Sequence, residues 1–523
     1  MPSASPAAPP PPRSRDVVDV VIVGGGVNGC GIARDLAGRG CSVVLCEKDD
    51  LASHTSSAST KLIHGGLRYL EHYEFGLVRK ALREREVLLK SAPHIMSPLR
   101  FVMPHDPSMR PAWLVRLGLL MYDHLAQREV LPGSHGIALH RHAAGAALQP
   151  RFSRGFVYSD GWVDDARLVV LCARDAADRN AEILTRTGCA DARREGDVWS
   201  VRLVAADGAV RTVRARALVN AAGPWAGQFL HDAVHRSGSR NLRLIKGSHI
   251  VVRRLFEHDH AYILQSPDQR VVFAIPYESR FTLIGTTDVE VTGDPGAAAI
   301  SSDETAYLCT VINRCFRRAI GPADVVWSYA GVRPLLDDAS GDPSAVTRDY
   351  ALELDRAGAP LLSVWGGKIT TFRKLAEEAA GQLLAALGER RPAWTRGRYL
   401  PGGDLSGTIT VSGRPDVDIA RFREALACRL PWLPAPLLAR YVRAYGSRVP
   451  QVVGPAAALA DLGAEIAPGL HEAELSYLVR EEWAVSGDDV LWRRSKLGLH
   501  LDAAQRAAVD RWMAGARAVA AAA

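Results

Sequence analysis

Val17-Val18-Asp19-Val20-Val21-Ile22-Val23 runs directly into Gly24-Gly25-Gly26-Val27-Asn28-Gly29. A helix-compatible stretch, Cys30 to Gly38, then leads to a second apolar run, Ser42 to Cys46, that stops at Glu47. Strand, glycine turn, helix, strand and acid, in that order, make a dinucleotide-binding βαβ unit. Gly24 permits the tight turn, Gly26 lets backbone approach a pyrophosphate, and Gly29 lets the helix pack against the strand. The helix N-terminus offers unpaired N–H groups and a positive dipole end to phosphates. Glu47 is placed to accept hydrogen bonds from a ribose diol. The competing reading is a tight βα turn with no ligand. The strand, helix and acid at their expected distances argue against it.

Outward from this unit, 523 residues leave room for two or three domains. A hydrophobic content of 47% with 23% charged residues is that of an ordinary globular protein. No apolar run reaches the ~20 residues needed to cross a bilayer. Met1 to Arg15 is rich in Pro, Ala and Ser and has no apolar core, so it is expected to be a disordered tail and not a secretory signal. The eight cysteines form no C-x-x-C pair, and reduced thiols in a cytoplasmic compartment are expected, with no metal site. The net charge of +7 suits an acidic partner such as a phosphate substrate or anionic lipid. No nucleic-acid motif accompanies it, so no nucleic-acid partner is expected.

Further along, Glu71 to Leu89 and residues 160–185 carry helical periodicity, and Arg110 to Leu125 is apolar with basic residues at its start. Gly188 to Ala222 reads as a small β-meander closing in an apolar strand. Short strand-like runs at His249 to Val252, Val271 to Pro276 and Phe281 to Gly285 suggest a mainly antiparallel substrate domain. It is inserted, at about residues 90–155 and 240–345, into a nucleotide domain spanning 16–395. Residues 400–515, rich in Ala, Leu and Arg, read as a separate helical domain. No second glycine fingerprint follows a strand. A resident flavin therefore has no obvious nicotinamide partner, and electrons must leave to a quinone, oxygen or a protein carrier.

The segment Thr55-Ser56-Ser57-Ala58-Ser59-Thr60-Lys61-Leu62-Ile63-His64-Gly65-Gly66-Leu67-Arg68-Tyr69-Leu70 concentrates hydroxyls, two glycines and several donors. With GGGVNGCGIARDLAGRG, LIKGSHIVV, IGTTDVE, YAGVRPL, TRDY and GGKITTFRKLAE, it resembles the respiratory, FAD-dependent glycerol-3-phosphate dehydrogenases. These motifs run in the family's order from about residue 17 to 380. DVLWRRSKLGL (Asp489 to Leu499) resembles the family's helical C-terminal domain.

The resemblance implies an α/β fold: a Rossmann-like FAD-binding domain of the amine- and hydroxy-oxidising flavoprotein type, an antiparallel substrate domain and a helical C-terminal domain. It implies oxidation of sn-glycerol 3-phosphate to dihydroxyacetone phosphate. Arg333 and Arg348 resemble the family's phosphate-binding arginines, and a guanidinium fork matches phosphate oxygens. Arg68 and Tyr69 resemble residues lining the substrate pocket, and Lys368 a residue that contacts substrate beside the flavin. His249 and His64 both resemble histidines near the pocket that suit a general base, with His249 favoured. Gly24, Gly26, Gly29 and Glu47 are expected on the ADP half of a non-covalent FAD. Ser56, Ser57 and Lys61 are expected along its pyrophosphate and ribityl chain, and Ala222, Gly223, Gly366, Gly367 and Thr370 against the rest.

Ubiquinone or menaquinone is the expected acceptor, with Arg110 to Leu125 at the inner face of the cell membrane. A core helix is the equal alternative for that segment, and a homodimer is expected from the family. Three other readings stand beside this one. An oxidase would pass the same electrons to oxygen. An amine-oxidising relative would need no Arg333/Arg348 pair. A non-catalytic binding module would not need the donors crowded around the ring.

Overall fold

The computed structural model describes residues 17–106, 110–236, 240–266, 268, 270–336 and 349–522. Arg348, the side chain of Arg68 and the tail Met1 to Arg15 lie outside the described residues.

Two sheets build the larger part of the molecule. In the first, Val17–Val23 pairs in parallel with Val43–Cys46 on one side and with Val210–Asn220 on the other. Glu182–Leu184 and Leu361–Gly366 extend the parallel set, and Tyr350–Asp355 closes one edge antiparallel. Near-continuous apolar strands are what a parallel sheet covered on both faces requires. Side chains alternate as the pleat dictates. Val20 and Ile22 pack into a core with helices Val27–Gly38, Asp165–Ala177 and Phe372–Ala386. Val21 and Val23 pack on the opposite side with Trp199, Val201, Phe229 and Trp365. The strands Thr187–Glu195 and Val198–Ala205 join Val210–Asn220 as an antiparallel meander.

Among the described residues the second sheet has ten strands and is antiparallel except where Ala261–Gln265 runs beside Met96–His105. Its longest pairing joins Leu242–Arg253 to Val325–Leu336. The two-residue strand Leu62–Ile63 sits at its edge, against Arg154–Val163. Pro98 lies inside the strand Met96–His105.

Two helices depart from their sequence limits in instructive ways. The segment after the Ser/Thr run forms a 3₁₀ turn, Leu67–His72, before the helix Phe75–Ser91 begins. The segment Arg110 to Leu125 divides between its two faces. The helix Ala112–His124 buries Leu119 and Tyr122, while Trp113, Leu114, Leu117, Leu120 and Met121 stay exposed on its other face.

Beyond residue 400 the chain is mainly helical, with one small hairpin at 465–471: Pro415–Arg429, Ala435–Tyr445, Glu472–Glu482 and Ala503–Ala522 surround a core of their own, with a π-helical turn at Asp489–Arg494.

Candidate active site

A cleft of about 350 Å³ opens at the carboxyl ends of the parallel strands. This is where an open α/β sheet binds its ligand. It runs from Glu47 and Lys48, past Gly24, Gly25 and Gly26, to Pro334, Gly366 and Gly367.

The glycine turn forms the floor. Gly24 has φ +115°, and a Cβ there would lie 2.3 Å from the Ala221 carbonyl oxygen. A Cβ on Gly29 would lie 1.9 Å from the Gly24 oxygen, so the helix can seat against the turn only without one. Gly26 differs: its Cβ would meet only Ser56 Oγ, at 3.1 Å, on the cleft side. Gly26 caps the helix with no side-chain hydrogen bond, so the helix N-terminus points its amides at the cleft. Of these, the Val27 N–H donates to Ser56 Oγ at 3.0 Å.

Glu47 is nearly buried. It accepts from the Gly25 N–H at 2.6 Å and from the Asp49 N–H at 2.9 Å. Burial lifts its carboxyl above the usual range, opposed by those two amides. A carboxylate has about four lone-pair sites, which leaves acceptor capacity for a ribose.

Lys61 and Ser57 correct the sequence reading. Lys61 is 1% exposed and is turned away from the cleft. Its Nζ donates to Asp165 Oδ1 at 2.8 Å and to the Ser57 carbonyl at 3.1 Å. A buried ammonium needs a buried partner, and Asp165 meets that need from 104 residues away. Ser57 Oγ donates to the His54 carbonyl and does not line the cleft.

Ala222 and Gly223 line the far wall. Gly366 and Gly367, with φ of +72° and +112°, turn the chain beneath the cleft's other end. Asn28, which the sequence reading passed over, bridges the two walls. Its Nδ2 donates to the Gly366 carbonyl at 3.1 Å, and its Oδ1 is buried with no hydrogen-bond partner. An asparagine inside a glycine turn was the signal for it.

Beyond this end lie the candidate substrate groups. Arg333 directly precedes Pro334, and Lys368 directly follows Gly367; Pro334 and Gly367 line the cleft's end. Arg333 Nη2 donates to the Thr287 carbonyl at 2.9 Å and pairs with Asp288. A Cβ on Gly247 would come within 2.9 Å of it, so that glycine makes its room. Lys368 Nζ lies 3.9 Å over the Tyr69 ring. Tyr69 in turn covers Gly66, whose φ is +78°. His64 is half-buried, and its backbone N–H donates to Thr370 Oγ1 at 3.2 Å, which ties this loop to the residues after Lys368. The same loop is held from below: Tyr122 Oη accepts from the Gly65 N–H at 2.8 Å and donates to Asp160, which Arg85 also binds.

His249 does not suit the role of base for which the sequence favours it. It is 2% exposed, wedged between Thr60 Oγ1 at 2.9 Å from its Nε2 and the stacked ring of Tyr329, centroids 4.8 Å apart. Burial pushes its pKa well below the usual value, and Lys61 and Arg333 add to the effect. An enclosed, weakly basic imidazole joins strand to loop. His64, half-buried on the loop that carries Tyr69, is the less enclosed of the two histidines.

The cleft therefore fits a dinucleotide. It offers an uncapped helix N-terminus, backbone bare of Cβ at Gly26, and an acceptor at Asn28 with no donor in the protein. Residues 19–373 match the family model described as FAD dependent oxidoreductase. The chain belongs to the FAD-dependent oxidoreductases. Its cofactor is FAD. Residues 393–517 match a second model, the C-terminal domain of alpha-glycerophosphate oxidase. Among relatives, the glycerol-3-phosphate dehydrogenase of Pseudomonas aeruginosa is 52% identical over 500 residues, 95% of each chain. The aerobic glycerol-3-phosphate dehydrogenase of Escherichia coli is 50% identical, over 95% of this chain and 97% of that one. The D-erythritol 1-phosphate dehydrogenase of Brucella abortus is also 50% identical, over 97% and 99%. The fold is shared with the glycerol-3-phosphate dehydrogenase from Bacillus halodurans solved with FAD: TM-score 0.75, 26% identity, 96% of this chain and 91% of that one.

Proposed function

We propose that this oxidoreductase converts sn-glycerol 3-phosphate to dihydroxyacetone phosphate and passes the electrons to a membrane quinone. The observation that carries the reading is Lys368, which stands over the Tyr69 ring one residue after the cleft-lining Gly367. Near-full-length similarity to glycerol-3-phosphate dehydrogenases supports it.

When bound, FAD supplies the acceptor for the hydride that C2 of the substrate gives up. The chain's own residues do the rest. Arg333 grips the phosphate through its fork, joined by Arg348 in our reading. Lys368, held over Tyr69, places a positive charge where negative charge develops. His64 takes the C2 hydroxyl proton, and Tyr69 walls the pocket.

Electron exit is read from the helix Ala112–His124. Trp113 and Leu117 stand out from it, 69% and 45% exposed. An apolar stripe of this kind suits shallow burial in a bilayer interface. Among the described residues no helix is long and apolar enough to cross a membrane. The attachment we propose is peripheral, at the inner face.

Initial rates with sn-glycerol 3-phosphate, D-erythritol 1-phosphate and glycerol, each with a quinone analogue or with oxygen, test this directly. The expected result is highest kcat/KM for glycerol 3-phosphate with the quinone, and no turnover of glycerol, which lacks the phosphate. Preference for D-erythritol 1-phosphate would overturn the substrate, and stoichiometric peroxide would overturn the acceptor.

A further inference from the structure

The C-terminal domain meets the nucleotide domain through charges that are almost wholly enclosed. Asp50 lies in the loop that follows Glu47, and its side chain is 1% exposed. Arg494, from the π-helical turn, grips it with both prongs, Nη1 to Oδ2 at 2.6 Å and Nη2 to Oδ1 at 2.7 Å. Arg493 Nε adds a third bond to Oδ2 at 2.5 Å. The arginines are themselves fixed. Arg494 Nε donates to the Glu482 carbonyl at 3.0 Å, and Arg493 pairs with Asp489. Asp489 also accepts from Arg186 at 2.6 Å and from the Val485 N–H at 2.7 Å.

The loop they hold is the one that closes on the cleft. Two residues past Asp50, the Ala52 N–H donates to the Gly25 carbonyl at 3.1 Å, in the glycine turn itself. Leu51 is buried against Gly25, and Ala52, Ser53, His54, Thr55 and Ser56 line the cleft. Arg186 N–H donates to the Asp49 carbonyl and Thr187 N–H to the Glu47 carbonyl, each at 2.7 Å. The far end of the same loop is anchored separately. Asp165 binds Lys61 and Ser59, and two residues on, Arg167 carries a bidentate pair with the fully buried Glu482. The C-terminal domain thus grips the segment 48–61 directly at Asp50 and reaches its other end only through Arg167, on the helix that carries Asp165, yet none of residues 482–496 lines the cleft.

We propose that the C-terminal helical domain is a cofactor clamp: Arg493 and Arg494 position the Asp50 loop, so that FAD retention depends on the docking of this domain. These are positioning residues, acting on the cofactor through the loop. The inference rests on FAD being the resident cofactor. Linkage makes the effect reciprocal: if docking tightens FAD binding, FAD binding must tighten docking by the same factor.

Two measurements on the full-length protein test it. The first compares amide hydrogen exchange of the holoenzyme with that of FAD-stripped protein. The clamp requires slower exchange in residues 482–496 as well as in 48–58 when FAD is bound. Protection confined to 48–58 overturns it. The second measures the FAD dissociation constant by flavin fluorescence. Arg494→Lys and Asp50→Asn are expected to weaken FAD binding by about 5- to 150-fold, the usual span of coupling factors. Arg443→Ala, which removes the C-terminal domain's pairing with Glu278 at the second sheet, is expected to leave it unchanged. Equal affinity in all variants, or equal loss of melting temperature with and without FAD, makes the cluster a structural anchor only and overturns the clamp. If a variant does not fold, the exchange experiment on the unaltered chain decides. A protein that binds no FAD at all would refute the cofactor and not the clamp.

Discussion

The two ends of the cleft are built from different materials. The nucleotide end is made of backbone: the Gly24–Gly29 turn, a helix N-terminus and the amides that hold Glu47, all within one short stretch of chain. The far end is made from separate stretches of chain: the His64–Tyr69 loop meets Lys368 and Thr370, and Arg333 stands one residue before the lining Pro334. A backbone site tolerates no added Cβ but is indifferent to most other side-chain chemistry. A side-chain site keeps its fold when a group is removed and loses only that group's function. The contrast can be broken at either end.

The largest effect is expected from Gly29→Ala. The new Cβ would lie 1.9 Å from the Gly24 oxygen, a clash with backbone at the upper end of the ~1–3 kcal/mol that overpacking usually costs. Protein purified with little flavin and a lowered melting temperature is the expected outcome, read from the absorbance spectrum. Normal flavin content would show that the helix can move off the turn.

His64→Asn is expected to leave FAD binding intact while lowering kcat by ~10²–10⁴, the usual worth of a general base. His249→Asn should lower kcat by less than about tenfold, since its depressed pKa and enclosure keep it from the proton. Stopped-flow reduction of the flavin measures both. The reverse ranking would restore His249 as base.

Arg333→Ala is expected to cost ~2–3 kcal/mol, about a hundredfold in kcat/KM and chiefly in KM, because a charge-assisted bond to the phosphate is lost. Steady-state kinetics check it. A fall in kcat alone would place Arg333 at the reacting carbon and not the phosphate. A smaller effect, on location only, is expected from Leu117→Glu. Burying a charge in the interface should release the protein from anionic vesicles in a sedimentation assay, with rates to a soluble acceptor unchanged.

The same contrast explains what could be read from the sequence. Gly24, Gly26, Gly29 and Glu47 were legible because their spacing alone carries the geometry. The side-chain end was reached only through resemblance to a family. Where residues were misjudged, a distant partner was responsible. Lys61 stands in a hydroxyl-rich run that suggests ligand binding, but its charge is consumed by Asp165. His249 is closed in by Thr60 and Tyr329, each far away in the chain. Tyr122 could not be divided from its exposed neighbours, because the helix Ala112–His124 carries apolar residues on both faces. Asp50 gave no local sign of its role, since Arg493 and Arg494 lie more than four hundred residues later.

The central claim, that the side-chain end of the cleft presents glycerol 3-phosphate to FAD, is tested most directly by mixing substrate with the holoenzyme in the absence of oxygen. sn-Glycerol 3-phosphate should bleach the oxidised flavin band completely and at a catalytically competent rate, with dihydroxyacetone phosphate formed in equal amount, while glycerol leaves the spectrum unchanged. A spectrum indifferent to glycerol 3-phosphate, or bleached only by D-erythritol 1-phosphate, would contradict the account.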